Sequence, residues 1–130
     1  MEQSSPAIIL IVDSNVTNIR VVSDILRDHS YKVHIAKSGI QAINLLSKLN
    51  PDVIFMGTQM PHMNGFECCK RINRILSPQK VPMIFISGSD DKKHKELAKD
   101  LGSLEYLTKP INAELLMKTL NSLDQQILLS

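Results

Sequence analysis

Five times along this chain a short apolar run is followed by a stretch with helical spacing, and that alternation restricts the fold more than any other feature. The first run, AIILIV at 7–12, is continuously apolar, as a strand covered on both faces must be. Residues 15–30 then place Ile19, Val22, Ile25 and Leu26 on one helical face. The run at 31–36 alternates like an edge strand, and 39–49 predicts a second helix, with Ile40, Ile43 and Leu46 at spacing three. A third strand is expected at 52–56, behind Pro51, where no ladder donor is lost. Asn64 and Glu67 resemble a capping box that opens a helix ending near residue 76. A fourth strand at 81–86 leads to a polar helix at 91–101, stopped by Gly102. The fifth strand, 104–108, precedes a helix striped by Leu116, Leu120, Leu123 and Ile127. Strands and helices in this order predict one doubly wound α/β domain, a parallel sheet with helices on both faces and right-handed crossovers.

Composition narrows the class of function. With 43% hydrophobic and 22% charged residues, 130 residues suit one globular domain with a real core. A net charge of +2, with positive residues scattered apart from Lys92, Lys93 and Lys95, gives no footprint for nucleic acid. No apolar run approaches bilayer length, so no membrane span is expected. Residues 1–6 are short and polar, an expected disordered leader rather than a secretory signal. Cys68 and Cys69 are adjacent and cannot form an ordinary staple, which points to a reducing, cytoplasmic setting.

In a parallel sheet of this kind, ligands sit at the carboxyl ends of the strands. There the chain places Asp13, Ser14 and Asn15 after the first strand and Gly57, Thr58 and Gln59 after the third. Ser87 follows the fourth strand and Lys109 the fifth. Polar strand ends are common, but IVDSN, MPHMNGFE, FISG and YLTKP occur in an order and at spacings that fit one architecture.

On these motifs, over about residues 7–126, the chain resembles the receiver domains of two-component response regulators. The resemblance implies a flavodoxin-like fold, five parallel strands in the order 2-1-3-4-5. Helices one and five would cover one face, and two to four the other. Residues 127–130 are left as a C-terminal tail.

The family's chemistry moves a phosphoryl group from a sensor kinase's phosphohistidine to an aspartate that ends the third strand. That step uses a carboxylate nucleophile and Mg²⁺, which takes near-octahedral oxygen ligands. By resemblance, Lys109 keeps the lysine that contacts the phosphoryl oxygens, Ser87 the switch hydroxyl and Tyr106 the switch aromatic. Gln59 can still offer a metal-binding backbone carbonyl, and Asp13 keeps the first acid of the metal-binding pair. Ser14 stands where the second acid belongs, and Gly57 where the acceptor belongs.

Glycine offers no oxygen nucleophile, and two of the three family carboxylates are absent. No Mg²⁺ or other cofactor is therefore expected, and Lys109 is expected to pair with Asp13. The hydroxyls of Ser14 and Thr58 are poor substitute acceptors without an adjacent base, and Asp13 lies too near the sheet rim to be assumed one. Loss of Ser14's acid together with Gly57's fits natural degeneration better than a deliberate change of the acceptor alone. The resemblance implies a receiver-like module that is not an enzyme and works by protein contact. Its partner would be a sensor kinase or another signalling protein, met through Lys92, Lys93, Lys95 and Tyr106. The face formed by helix four, strand five and helix five is also a candidate homodimer surface. The native-looking Met1 and the lack of an output domain suggest a stand-alone receiver. An active phosphoacceptor using another residue is one rival. A nucleotide or flavin binder is another, disfavoured because DSNVTN has no glycine and presents Asp13 to phosphate.

The remaining residues carry plainer expectations. His29, His34, His62 and His94 show no metal spacing and are expected on the surface. Cys68 and Cys69 are expected to be buried or half-buried thiols, and Met56, Met60, Met63 and Met83 packing or turn residues. Lys109-Pro110 is expected to be cis, as is common in the family.

Overall fold

The computed structural model describes residues 7–88 and 90–129, with side chains through Leu123 in the last helix. The leader expected at 1–6 and the side chain of Ile127 lie outside these described residues. The elements follow as β1 (Ile8–Val12), α1 (Val16–Asp28), β2 (Lys32–Ala36), α2 (Gly39–Leu45) and β3 (Val53–Gly57). Then come α3 (Gly65–Leu76), β4 (Met83–Ser87), α4 (Lys92–Asp100), β5 (Glu105–Thr108) and α5 (Ala113–Leu129). All pairings are parallel, in the order β2-β1-β3-β4-β5. No helix among the described residues is long and apolar enough to cross a membrane.

The period of two in each strand divides the core into two layers. Leu10, Val12, Ile54, Met56 and Phe85 face α2, α3 and α4, where they meet Phe66, Cys68, Cys69, Ile72 and Ala98. Ile9, Ile11, Phe55, Ile84 and Ile86 face α1 and α5, against Val22, Leu26, Leu116 and Leu120. Burying one such side chain fully contributes about 1.5–3 kcal/mol, so both layers are needed to offset chain entropy. Helix starts are capped from the sequence: Asn15 accepts from Asn18 N, Ser38 from Gln41 N, Asn64 from Glu67 N and Asp91 from Lys93 N. The carboxylate of Glu67 turns to Arg71, 3.0 Å away. Both cysteines are buried, and the Lys109-Pro110 peptide is cis, as is Ser77-Pro78.

Three local expectations need correction. First, α2 ends at Leu45 rather than near residue 49. Its last turns tighten to three-residue bonds, Leu46 N to Ile43 O and Lys48 N to Leu45 O, as the chain prepares for Pro51. Second, Ile40 is not on the inner face but 58% exposed. Gly39 sits so close to α3 that a Cβ there would lie 2.7 Å from Met63 Sδ, so Gly39 and Ala42 make the contact and Ile40 faces outward. Third, Gly57 belongs to β3 and pairs with Ile86, so it is the buried last residue of the strand rather than the first residue after it.

Candidate functional site

Asp13 follows β1 directly, and its N–H donates to Ala36 O at 3.0 Å, which extends the ladder with β2 by one bond. The side chain is only 3% exposed. Its Oδ1 accepts from Asn15 N at 3.0 Å and its Oδ2 from Asn18 Nδ2 at 3.0 Å. Asn15 in turn caps α1, so the loop and the first turn of the helix form one hydrogen-bonded unit. Asn18 was not among the residues the sequence singled out. Its signal was a polar side chain beside the Ile19 and Val22 stripe, where α1 meets the sheet.

Gly57 lies against that carboxylate. A Cβ on Gly57 would stand 2.7 Å from Asp13 Cγ and 2.8 Å from each carboxylate oxygen. The Asp13 side chain therefore occupies the space that any side chain at 57 would enter. Gly65 is required for a different reason, since its Cβ would fall 2.1 Å from Gly57 O. The NG step lets α3 begin hard against the end of β3, with Gly65 N donating to Thr58 O at 3.0 Å.

Thr58 Oγ1 donates to Ser87 Oγ at 3.0 Å, and both residues are buried. Ser87 ends β4, and its carbonyl accepts from Lys109 N at 3.0 Å. The Lys109 side chain passes over Gly88, whose Cβ would be 3.9 Å from Nζ. Ser14, Gln59 and Lys109 are exposed. Asp13, Ser14, Asn18, Gly57, Thr58 and Lys109 line a polar cleft of about 330 Å³. A larger hollow of about 540 Å³ along α5, beside Met117 and Lys118, contains none of these groups.

The expected ion pair is not formed: among the described residues the salt bridges are Arg71–Glu67 and Lys95–Asp90. Local donors at Asn15 and Asn18 hold Asp13 instead. Tyr106 is half-buried on β5, on the α4 side of the sheet, and Lys92, Lys93 and Lys95 are exposed on α4 and do not line the cleft. His29, His34 and His62 are exposed, and His94 is half-buried. Its ring packs on Phe66 with centroids 5.3 Å apart, and its Nδ1 is buried without a hydrogen-bond partner among the described residues. No group of three metal-ligating His, Cys, Asp or Glu side chains occurs among the described residues.

Comparison with known proteins agrees with this architecture. The model of the response regulator receiver domain family matches residues 9–121. Protein PilH of Pseudomonas aeruginosa is 32% identical over 114 residues, which are 88% of this chain and 94% of PilH. A probable cyclic di-GMP phosphodiesterase of Vibrio cholerae is 32% identical over 116 residues, 89% of this chain but only 26% of that protein. The chemotaxis protein CheY4 of Vibrio cholerae superimposes with a TM-score of 0.83 at 31% identity, covering 91% of this chain and 98% of CheY4. Fold and sequence agree, and this chain belongs to the response regulator receiver domain family.

Proposed function

We propose that this receiver is a phosphorylation-independent signalling module, not an enzyme, that acts by contact with a sensor kinase or another signalling protein. The observation that carries the reading is the position of Asp13. Its carboxylate fills the space beside Gly57 where the family's acceptor side chain would begin, at 2.7–2.8 Å from that Cβ position. A side chain at 57 would have to displace the Asp13 carboxylate, which supports a cleft that works without the acceptor.

The residues present do not fit Mg²⁺. The ion needs several oxygen ligands in near-octahedral array, and among the side chains that line the cleft Asp13 is the one carboxylate. Substitute acceptors are also poorly placed. The Thr58 hydroxyl is buried and donates to Ser87. Ser14 is exposed, and an alcohol needs a positioned base to become a nucleophile.

What remains of the family's response machinery is Ser87, Tyr106 and Lys109, and beside them the α4–β5–α5 face. With no phosphoryl group to bias that face, a partner's own differential affinity must set its state. The test is incubation with acetyl phosphate and Mg²⁺ followed by intact mass. No mass gain is expected, and a stoichiometric gain of one phosphoryl group would overturn the proposal.

A further inference from the structure

We propose that the cleft binds a small amino carboxylate, with the ligand's ammonium on Asp13 and its carboxylate on Lys109. The proposal rests on the reading above, that the cleft takes neither a phosphoryl group nor Mg²⁺. Two opposite charges line one hollow of about 330 Å³, and no ion pair within 4.0 Å joins them among the described residues. Each is left with binding capacity. A carboxylate has about four lone-pair sites, and Asp13 uses its two oxygens once each, both toward neutral donors. Although buried, Asp13 is among the residues that line the cleft.

Lys109 supplies the other pole. Its backbone is fixed by the bond to Ser87 O, and glycine at 88 leaves its side chain clear of any neighbouring side chain there. The ammonium can therefore turn toward the cleft and donate to an anion within it. Charge complementarity then selects the ligand class. A bare anion would meet Asp13, and a bare cation would meet Lys109. A zwitterion satisfies both and leaves the cleft electrically neutral. The volume limits it to a short aliphatic chain, and the buried Thr58 floor, bonded to Ser87, connects its occupancy to β4.

The test titrates glycine, β-alanine and γ-aminobutyrate into the full chain, followed by backbone amide NMR without Mg²⁺ or phosphodonor. At least one should give saturable shifts at Asn15, Asn18, Thr58, Gly88 and Lys109. Methylamine and acetate should each bind about tenfold more weakly than that zwitterion. Lys109→Gln, an exposed position, should keep the fold and lower affinity about tenfold, as should Asp13→Asn where a thermal melt shows it folded. Lys70→Gln, exposed on α3, should change nothing. Absence of saturable shifts with all three zwitterions overturns the proposal, as does equal affinity for methylamine or acetate alone. Because neither phosphodonor nor Mg²⁺ is present, that failure is distinct from a phosphoryl mass gain, which would overturn the proposed function itself.

Discussion

The carboxylate of Asp13 lies against Gly57, so that a Cβ there would be 2.7 Å from Cγ and 2.8 Å from each oxygen. Asp13 and Gly57 are therefore one feature of the site rather than a surviving acid beside a lost one. The glycine admits the inward rotamer of Asp13, and that rotamer makes the bond to Asn18.

Gly57→Ala should consequently destabilise the fold. On an ordinary strand backbone, alanine gains about 0.5–1 kcal/mol over glycine. Here it must expel a buried carboxylate from two hydrogen bonds, at a cost of about 1–3 kcal/mol that leaves a net loss. In an Asp13→Ala background the obstruction is gone and Gly57→Ala should become stabilising. Urea denaturation of the four-protein cycle reads the sign change, and equal effects in both backgrounds would show that the two residues are uncoupled.

Restoring chemistry should need more than the acceptor. Gly57→Asp alone places a second carboxylate against Asp13 with no cation site to offset the repulsion, and it displaces Asp13 from Asn18. Ser14→Asp together with Gly57→Asp supplies all three family carboxylates. Labelling by acetyl phosphate with Mg²⁺ should be at least about tenfold faster in the double variant than in the single one. Equal rates would show that Ser14 is no lesion.

Cys68 and Cys69 should be inert thiols in the folded protein. Burial is the main cause that raises each from 9.0 to about 11; the neighbouring Cys69 adds to the shift of Cys68, and Asn73 opposes that of Cys69. Both thiols stay protonated where the unfolded chain has begun to ionise, so the unfolded state binds fewer protons between those values. Stability should fall as pH rises from 9 toward 11. Replacing both cysteines by alanine should flatten that slope in pH-dependent melts while lowering stability at pH 7. An unchanged slope would place its origin elsewhere.

Much of this was legible in the sequence, and what was not shares a physical cause. Continuous apolar runs and helical stripes specify the sheet and its two layers, because burial on both faces leaves a strand little choice of composition. At 14 and 57 the sequence shows a serine and a glycine where the family resemblance implies carboxylates. Contacts that depend on a torsion or on a neighbouring helix were hidden. Charge alone suggested that Asp13 would find Lys109, yet donors two and five residues away in the chain reach it first. Ile40 followed the helical period but lost its place to Gly39 and Ala42, which only the close approach of Met63 explains. His94 sits among Lys92, Lys93 and Lys95 and reads as part of a solvated face until Phe66 is placed beside it.

His94→Leu should stabilise the protein. A buried polar atom without a partner costs about 1–3 kcal/mol, and His94 Nδ1 is such an atom. Leucine keeps apolar contact with Phe66 and removes the nitrogen, for an expected gain of about 1 kcal/mol and a Tm a few degrees higher. His94→Gln keeps a polar group at the position and should give no such gain. A lower Tm for the leucine variant would mean that the ring's packing outweighs its unsatisfied nitrogen.

The partner surface is the remaining test of how this receiver signals. Lys93 is exposed on α4, and Lys95 pairs with Asp90, which holds its ammonium above the usual lysine range. Exposed charges at the rim of an interface act chiefly on association rate and salt dependence. Lys93→Glu with Lys95→Glu should therefore weaken binding to the partner recovered by pull-down roughly tenfold at low salt, and less as salt screens the field. Asp13→Asn alters a residue that is 3% exposed and bonded within its own loop, so partner affinity should change little. The opposite pattern, with Asp13→Asn abolishing binding and the lysine changes leaving it intact, would move the contact surface from α4 to the cleft.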